Sequence, residues 1–390
     1  MRVGGLLHAD GRRAHGLEVV RLCCPEVEVG GDLCHVVGVT RLSDALEHVI
    51  MDADPPPEEK PAPMTTTRPK ALVTAAVSGP GLDLLHQLAD LVLDSWLDQP
   101  TLRIYNGTQL AERVAAEGAS IVIVESDTCG PELYEQPIVA VCSCRGDPTN
   151  VDVPAATTAG VPVLRAPGRN ADAVAELAVA LLFAATRGVV PADRDVREGE
   201  IYRDGKIPYQ RYRAWELAGK TVGLVGLGAV GRALRWRLRG LGMDVLAYDP
   251  YAADATSTFD DLLARADVIS VHAPVTEETT GMIGADEFAK MRDGVVYLNT
   301  ARAKIHDTDA LVAALASGKV AAAGLDHFEG EFLAPDHPLT SFPQVVLTPH
   351  IGGATYDTES NHTRTIAEDL CRLLAGARPL HIVNPEVLPG

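Results

Sequence analysis

From residue 70 onward, short apolar runs alternate with stretches of helical periodicity. Apolar runs fall at 71–77, 81–93, 121–124, 138–142 and 161–164, and a long apolar helix is predicted over 171–187. A second series then runs from Lys220 to about Leu347. In it, strand-like runs at 221–225, 245–248, 268–271, 295–298, 320–325 and 345–347 are interleaved with helical patterns at 229–241 and 308–316. A last helix is expected over about 356–374. Near-continuous apolar strands separated by helices are the pattern of parallel sheets covered on both faces. Two such series, without an evident internal repeat, predict two similar α/β domains.

Residues 1–63 break this pattern. They contain Cys23, Cys24 and Cys34 and end in the run Pro55-Pro56-Pro57-Glu58-Glu59-Lys60-Pro61-Ala62-Pro63. A proline run of this kind cannot be helical and reads as an extended linker. Residues 1–69 are therefore expected to be a poorly ordered extension, and Met64 reads as a plausible true start with 1–63 upstream of it. Cys23, Cys24, Cys34 and His35 lack the paired spacing of a zinc module, so no metal is expected.

The whole chain has 390 residues, 46% hydrophobic and 22% charged, which is the balance of a globular enzyme. Its net charge of −19 repels phosphate backbones and anionic lipid, so neither nucleic acid nor membrane is expected as a partner. No stretch of 18 apolar residues suggests a transmembrane helix. Seven scattered cysteines fit a reducing, cytoplasmic setting better than a disulfide framework. Cys142 and Cys144 read as core or loop residues.

Gly226, Gly228 and Gly231 form a G-x-G-x-x-G directly after the strand-like TVGLV, and the last glycine lies in an opening helix. The next strand ends in Asp249, about 20 residues past the glycines. This is the context of a dinucleotide site. The glycines let the backbone approach a pyrophosphate, which would rest on the free N–H groups of the helix start at Ala229 and Val230. Asp249 would accept hydrogen bonds from ribose hydroxyls and repel a 2′-phosphate, which favours NAD over NADP.

Three further segments put polar residues at the carboxyl ends of predicted strands, where ligands of open α/β sheets bind. Arg302 follows the run ending at Leu298. Asp326 ends the next strand and Glu331 lies in the loop beyond it, while His350 follows the last strand. An arginine fork fits a carboxylate, a histidine can exchange a proton with a hydroxyl, and a carboxylate can orient that histidine.

Residues 70–385 resemble the D-isomer specific 2-hydroxyacid dehydrogenase family. The resemblance is carried in order by RGDPTNVDVPAAT (145–157), the helix of 174–187, LAGKTVGLVGLGAVGR (217–232), YDP (248–250), HAPVTEET (272–279), LNTARA (298–303), GLDHFEGE (324–331) and TPHIGG (348–353). It implies two Rossmann-like, doubly wound parallel-sheet domains with the active site in the cleft between them. The substrate domain would comprise 70–168 plus 354–390 and the NAD domain 169–353, with the helices at 171–187 and 356–374 as the hinge region. It implies Arg302 as the clamp on substrate carboxylate and carbonyl, His350 as acid–base and Glu331 as its partner. Ala273, Pro274, Thr300, Ala301 and Asp326 would lie near the cofactor, and Arg145 and Gly146 would face the substrate. The resemblance also implies a homodimer joined through the NAD domain. A non-catalytic NAD(H)-sensing scaffold of the same fold is the alternative. The chain departs from the family pattern at Asp147 and Pro148 in the substrate loop, at His306, at His327 where an aliphatic residue is usual, and at Phe332. The expectation is an NAD-dependent oxidoreductase acting on a small D-2-hydroxyacid or 2-oxoacid, with the substrate left open by these departures.

Overall fold

The computed structural model describes residues 68–388, so the expectations for the N-terminal extension lie outside the described residues. The chain first builds β1 (Lys70–Val73), α1 (Pro80–Leu88), β2 (Asp90–Leu93), α2 (Gly107–Glu117), β3 (Ile121–Val124), β4 (Ala140–Ser143), α3 (Val153–Thr158) and β5 (Val163–Arg165). All pairings in this sheet are parallel, in the order β2-β1-β3-β4-β5. Side chains alternate across it, as the strand period of two requires. Ala71, Val73, Ile121 and Ile123 pack under α1 and the C-terminal helix, while Leu72, Val122 and Val124 pack under α2 and α3.

The chain then crosses through α4 (Ala171–Arg187), α5 (Val189–Glu198) and α6 (Pro208–Arg211). The second series is β6 (Thr221–Val225), α7 (Ala229–Gly240), β7 (Asp244–Tyr248), α8 (Phe259–Arg265), β8 (Val268–Val271), α9 (Ala285–Lys290), β9 (Val295–Asn299), α10 (Thr308–Ala316), β10 (Val320–Leu325) and β11 (Val345–Leu347). Its sheet is parallel throughout, ordered β11-β10-β9-β8-β6-β7. Helices α4 and α7 cover one face, and α8, α9 and α10 the other. Both sheets are thus doubly wound, and each has a switch point where strand order reverses: between β1 and β3 in the first, between β6 and β8 in the second.

The last helix, α11 (Tyr356–Leu374), returns to the first sheet, with Ile366, Ala367 and Leu370 fully buried there. The tail beyond it is tied down by Asp369, whose carboxylate accepts from Leu380 N, His381 N and His381 Nδ1 at 2.7, 2.9 and 2.8 Å. Asn384 closes the edge, its Oδ1 accepting from Val163 N at 2.8 Å.

The apolar pattern overran several boundaries. The 71–77 run leaves the sheet after Val73, because Thr74 N and Ala75 N both turn to Ile123 O. The 81–93 run divides, with α1 ending at Leu88 and the backbone turning extended at Ala89 to form the edge strand β2. The helices α2, α3, α5, α8 and α9 were not anticipated. Cys142 and Cys144 are fully buried in the first core, and burial pushes their thiols well above the usual range. No single helix among the described residues is long and apolar enough to cross a membrane.

Leu182 on α4 is fully buried in the core beneath the second sheet. Leu182→Ala is expected to cost about 2–5 kcal/mol in denaturant unfolding, as buried leucine truncations do. A loss below about 1 kcal/mol would mean that α4 is not a core helix of this domain.

Candidate active site

At the end of β6 the backbone turns sharply through Gly226, at φ 99°. A Cβ there would lie 2.6 Å from Ala273 N, and one on Gly231 would lie 2.3 Å from Gly226 O. No other residue fits either position without moving the backbone. Gly228 differs: a Cβ there would meet nothing within 4 Å, so the turn has open space in front of it. Helix α7 starts at Ala229 with no side-chain cap. Its first N–H groups, those of Ala229 and Val230 among them, thus face an open, glycine-lined concavity, which fits the diphosphate of a dinucleotide.

Asp249, just past β7, fixes this turn from the side. Its Oδ2 accepts from Leu227 N at 2.8 Å and its Oδ1 from Tyr251 N at 2.9 Å. The residue expected to hold a ribose therefore also shapes the glycine loop, a role the sequence did not suggest. Each carboxylate oxygen keeps a lone pair for a hydroxyl. Ala273 is packed against the turn and Pro274 is exposed beside it. Thr300 is buried, with its Oγ1 3.4 Å from His272 Nδ1, and Ala301 N donates to Asn299 Oδ1 at 2.9 Å.

Arg302 stands past the end of β9 with an exposed side chain. Its Nη1 donates to Ala301 O at 2.7 Å, and its own carbonyl accepts from Asn299 Nδ2 at 2.9 Å. The same Asn299 amide reaches His306 Nδ1 at 2.9 Å. His306 is buried edge-on to the Tyr297 ring, and burial pushes it down to about 4, so it is neutral and can accept that hydrogen bond. This explains the polar residue at position 306: it braces the backbone of Arg302 through Asn299. The only sequence signal was a histidine in an apolar context.

Asp326 is 1% exposed at the end of β10. Its carboxylate accepts from Thr348 Oγ1 at 2.6 Å, Ile351 N at 2.9 Å and Gly352 N at 2.8 Å. The turn that carries His350 thus wraps the carboxylate and is shaped by it, while Oδ2 accepts only from Gly352 N and keeps a lone pair for a further donor. His350 and Glu331 meet directly, Nδ1 to Oε1 at 2.9 Å. Both hold left-handed backbones, φ 55° and 54°; only one other non-glycine residue described, Asp204, does so. Such conformations cost about 1–2 kcal/mol each and persist where surrounding structure enforces them.

His327 lies beneath this pair with 3% of its side chain exposed. Its ring centroid is 3.8 Å from that of His350, its Nδ1 is 3.6 Å from Glu331 Oε1, and Arg302 Nη1 donates toward its Nε2 at 3.4 Å. Burial, then the charges of His350 and Arg302, push His327 down to about 4. It is therefore a neutral ring touching all three expected catalytic residues.

From the first domain, Arg145 and Gly146 follow β4. The Arg145 guanidinium forms no ion pair among the described residues, and its pKa is lowered by desolvation and then by Arg169 and Arg302. It thus shares an electrostatic environment with Arg302. Gly146 O accepts from Arg165 Nη1 at 3.3 Å. A Cβ on Gly168 in the adjoining loop would stand 3.5 Å from Ala229 Cβ, so first-domain loops border the cofactor turn. A polar link that sequence reasoning missed supports this edge. Arg169 Nη1 meets Glu125 Oε1 at 2.6 Å and His362 Nδ1 at 2.7 Å, and the fully buried His362 donates from Nε2 to Ala76 O at 2.5 Å.

Residues 179–352 match the family model described as D-isomer specific 2-hydroxyacid dehydrogenase, NAD binding domain. Over 335 residues the chain is 36% identical to a glyoxylate reductase of Thermofilum pendens, covering 82% of this chain and 96% of that relative. Over 250 residues it is 43% identical to a D-3-phosphoglycerate dehydrogenase of Archaeoglobus fulgidus, covering 62% of this chain but only 46% of that relative. The chain thus spans about half the length of that relative. Among solved structures, the TT0316 protein from Thermus thermophilus superposes with a TM-score of 0.69 at 32% identity, over 80% of this chain and 99% of that one. A glyoxylate reductase from Paecilomyes thermophila gives 0.66 at 27% identity, over 82% and 99%. The matched segment contains the glycine turn, Asp249, Arg302, Glu331 and His350, and the cofactor is NAD. The chain belongs to the D-isomer specific 2-hydroxyacid dehydrogenase family.

Proposed function

We propose that this protein interconverts a small 2-oxoacid and its D-2-hydroxyacid, with Arg302, Glu331 and His350 as the catalytic residues. The observation that carries this reading is the 2.9 Å contact between His350 and Glu331, made by two residues in enforced left-handed conformations. Bound NAD(H) supplies the acceptor or donor of a hydride at substrate C2. Arg302 binds the substrate carboxylate and carbonyl with its fork, which gains strength as the oxygen gains negative charge. His350 uses Nε2, the nitrogen not engaged by Glu331, to give a proton to that oxygen in reduction or take it in oxidation. Glu331 holds Nδ1 and so keeps the ring oriented. Arg145 and Gly146 complete the substrate side. Gly226, Gly228, Ala229, Val230 and Gly231 hold the diphosphate, Asp249 the ribose, and Ala273, Pro274, Thr300 and Ala301 the nicotinamide side. With this set adjacent, a purely sensory scaffold is disfavoured.

The substrate domain, 70–168 with 354–390, is read as closing on the cofactor domain, 169–353, about α4 and α11. This reading is supported by α11 packing on the first sheet while α4 packs on the second. Closure would exclude water from the reacting atoms. A homodimer through the cofactor domain is supported by the arm at 189–215, where Val196, Tyr202, Tyr209 and Trp215 are each more than 60% exposed. Tyr202→Glu with Tyr209→Glu should halve the mass seen by light scattering, and an unchanged mass would reject this interface. The free buried thiols Cys129, Cys142 and Cys144 fit a reducing cytoplasm, which cell fractionation would check.

A screen of NADH oxidation with glyoxylate, pyruvate, hydroxypyruvate and sugar-derived 2-oxoacids identifies the substrate. With the best of them, Arg302→Lys should lower kcat/KM at least about tenfold, since the fork is lost while the charge stays. NADH affinity should be nearly unchanged. His350→Gln should remove about 10²–10⁴-fold of the rate. Normal turnover in either variant would take that residue out of the mechanism. Asp249→Asn, which keeps an acceptor for the glycine turn, should weaken NAD and relax discrimination against NADP. Wild-type preference for NADPH in kcat/KM would overturn the role given to Asp249.

A further inference from the structure

His327 is unexplained by the reaction as described. An aliphatic side chain would fill its space, yet a buried imidazole stands there with its Nδ1 lacking any hydrogen-bond partner among the described residues. An orphaned buried polar atom is costly and calls for a partner. This atom points into the catalytic pair. One ligand atom from each of His327, Glu331 and His350 lies within 4.8 Å of the other two, and Glu331 Oε1 is 3.6 Å from His327 Nδ1 and 2.9 Å from His350 Nδ1.

We infer that His327, Glu331 and His350 form a binding site for a divalent transition-metal ion of the zinc class, and that the bound ion switches the enzyme off. Ligand bonds of about 2.0–2.2 Å to nitrogen and carboxylate oxygen bring tetrahedral ligands to roughly 3.4 Å from each other. The two distances to Glu331 bracket that value, so the site closes with small side-chain shifts. Two imidazoles and one carboxylate suit zinc, cobalt or copper and disfavour magnesium and calcium, which take all-oxygen sets. Glu331 and His350 are half exposed at 55% and 44%, which leaves an entry path and a fourth position open to water. The chain's strong negative charge favours cations generally.

Inhibition follows from the proton balance. The metal takes the lone pairs of Nδ1 on both rings, and the proton shared between His350 and Glu331 is released to solvent. His350 is then locked with its remaining proton on Nε2. It cannot accept a proton in oxidation, and donating one would leave an unfavourable imidazolate. His327 must likewise carry its proton on Nε2, where Arg302 now donates, so Arg302 loses that acceptor and its fork is displaced. The site therefore disables the acid–base pair and disturbs the substrate clamp together.

Direct binding of Co²⁺ to the full chain tests the site independently of any activity. The chain is used with Cys23, Cys24, Cys34 and the half-buried Cys371 changed to Ser, which removes competing thiols. One equivalent should bind with the visible bands of a four-coordinate N/O site and without thiolate charge-transfer absorption. His327→Leu should weaken binding at least about tenfold, as losing a metal-site residue does. His327→Cys should restore binding and introduce thiolate absorption, a readout that a merely structural role for His327 would not produce. Mg²⁺ should not compete. Equal Co²⁺ affinity in wild type and His327→Leu, or a thiolate spectrum in the wild-type site, would overturn the assignment. Where a 2-oxoacid substrate is in hand, micromolar Zn²⁺ should inhibit its reduction reversibly, with chelator restoring the rate. Binding without inhibition would overturn the switch while leaving the site.

Discussion

The buried carboxylate of Asp326 is the contact on which the site depends. It satisfies Thr348 Oγ1 and the N–H groups of Ile351 and Gly352 together, and so sets the path of the turn that presents His350. A residue without an acceptor there would leave the buried Gly352 N–H unpaired, at a cost of about 1–3 kcal/mol, and release the Ile351 N–H as well. The left-handed backbone at His350 is sustainable only because these hydrogen bonds hold the chain on both sides of the strained residue.

Around that anchor the second domain places histidines of different character. His306 is pushed down to about 4 by burial and serves as an acceptor that braces Arg302 through Asn299. His327 is pushed down similarly, by burial and by neighbouring positive charge. His350 alone of the three stands half exposed, facing a carboxylate and the cleft. Burial thus separates structural from reactive imidazoles: a charged ring is too costly to desolvate at 306 and 327, whereas His350 keeps both solvent and a counter-charge.

Much of this was legible in the sequence. Except for the edge strand β2, the strands of both sheets announced themselves as apolar runs, because strands buried on both faces need no polar alternation. The glycine turn and the residues past β9, β10 and β11 were readable because parallel sheets collect their loops at one edge. The boundaries at Val73 and at Leu88 were not readable, since the chain turns there to satisfy backbone groups of neighbouring strands that are distant in sequence. The roles of Asp326 and Asn299 were hidden for a similar reason: each works by bonding to backbone, and the pattern of side chains carries no record of that. Glu125, Arg169 and His362 meet across more than 190 residues of chain, and no local motif marks them.

The route of the chain has a consequence for how the protein is made. The first sheet is laid down by residue 165, yet one of its faces has only α1 over it until α11 arrives, and its edge is closed only by Asn384. The second domain, by contrast, is contiguous from α4 to β11. On the ribosome the later domain can therefore finish while the earlier one still waits with Ala71, Val73, Ile121 and Ile123 only partly covered, by α1 alone. For the duration of more than 180 residues of synthesis, about 10–40 s at ordinary elongation rates, that half-built face is a surface for chaperones or for aggregation.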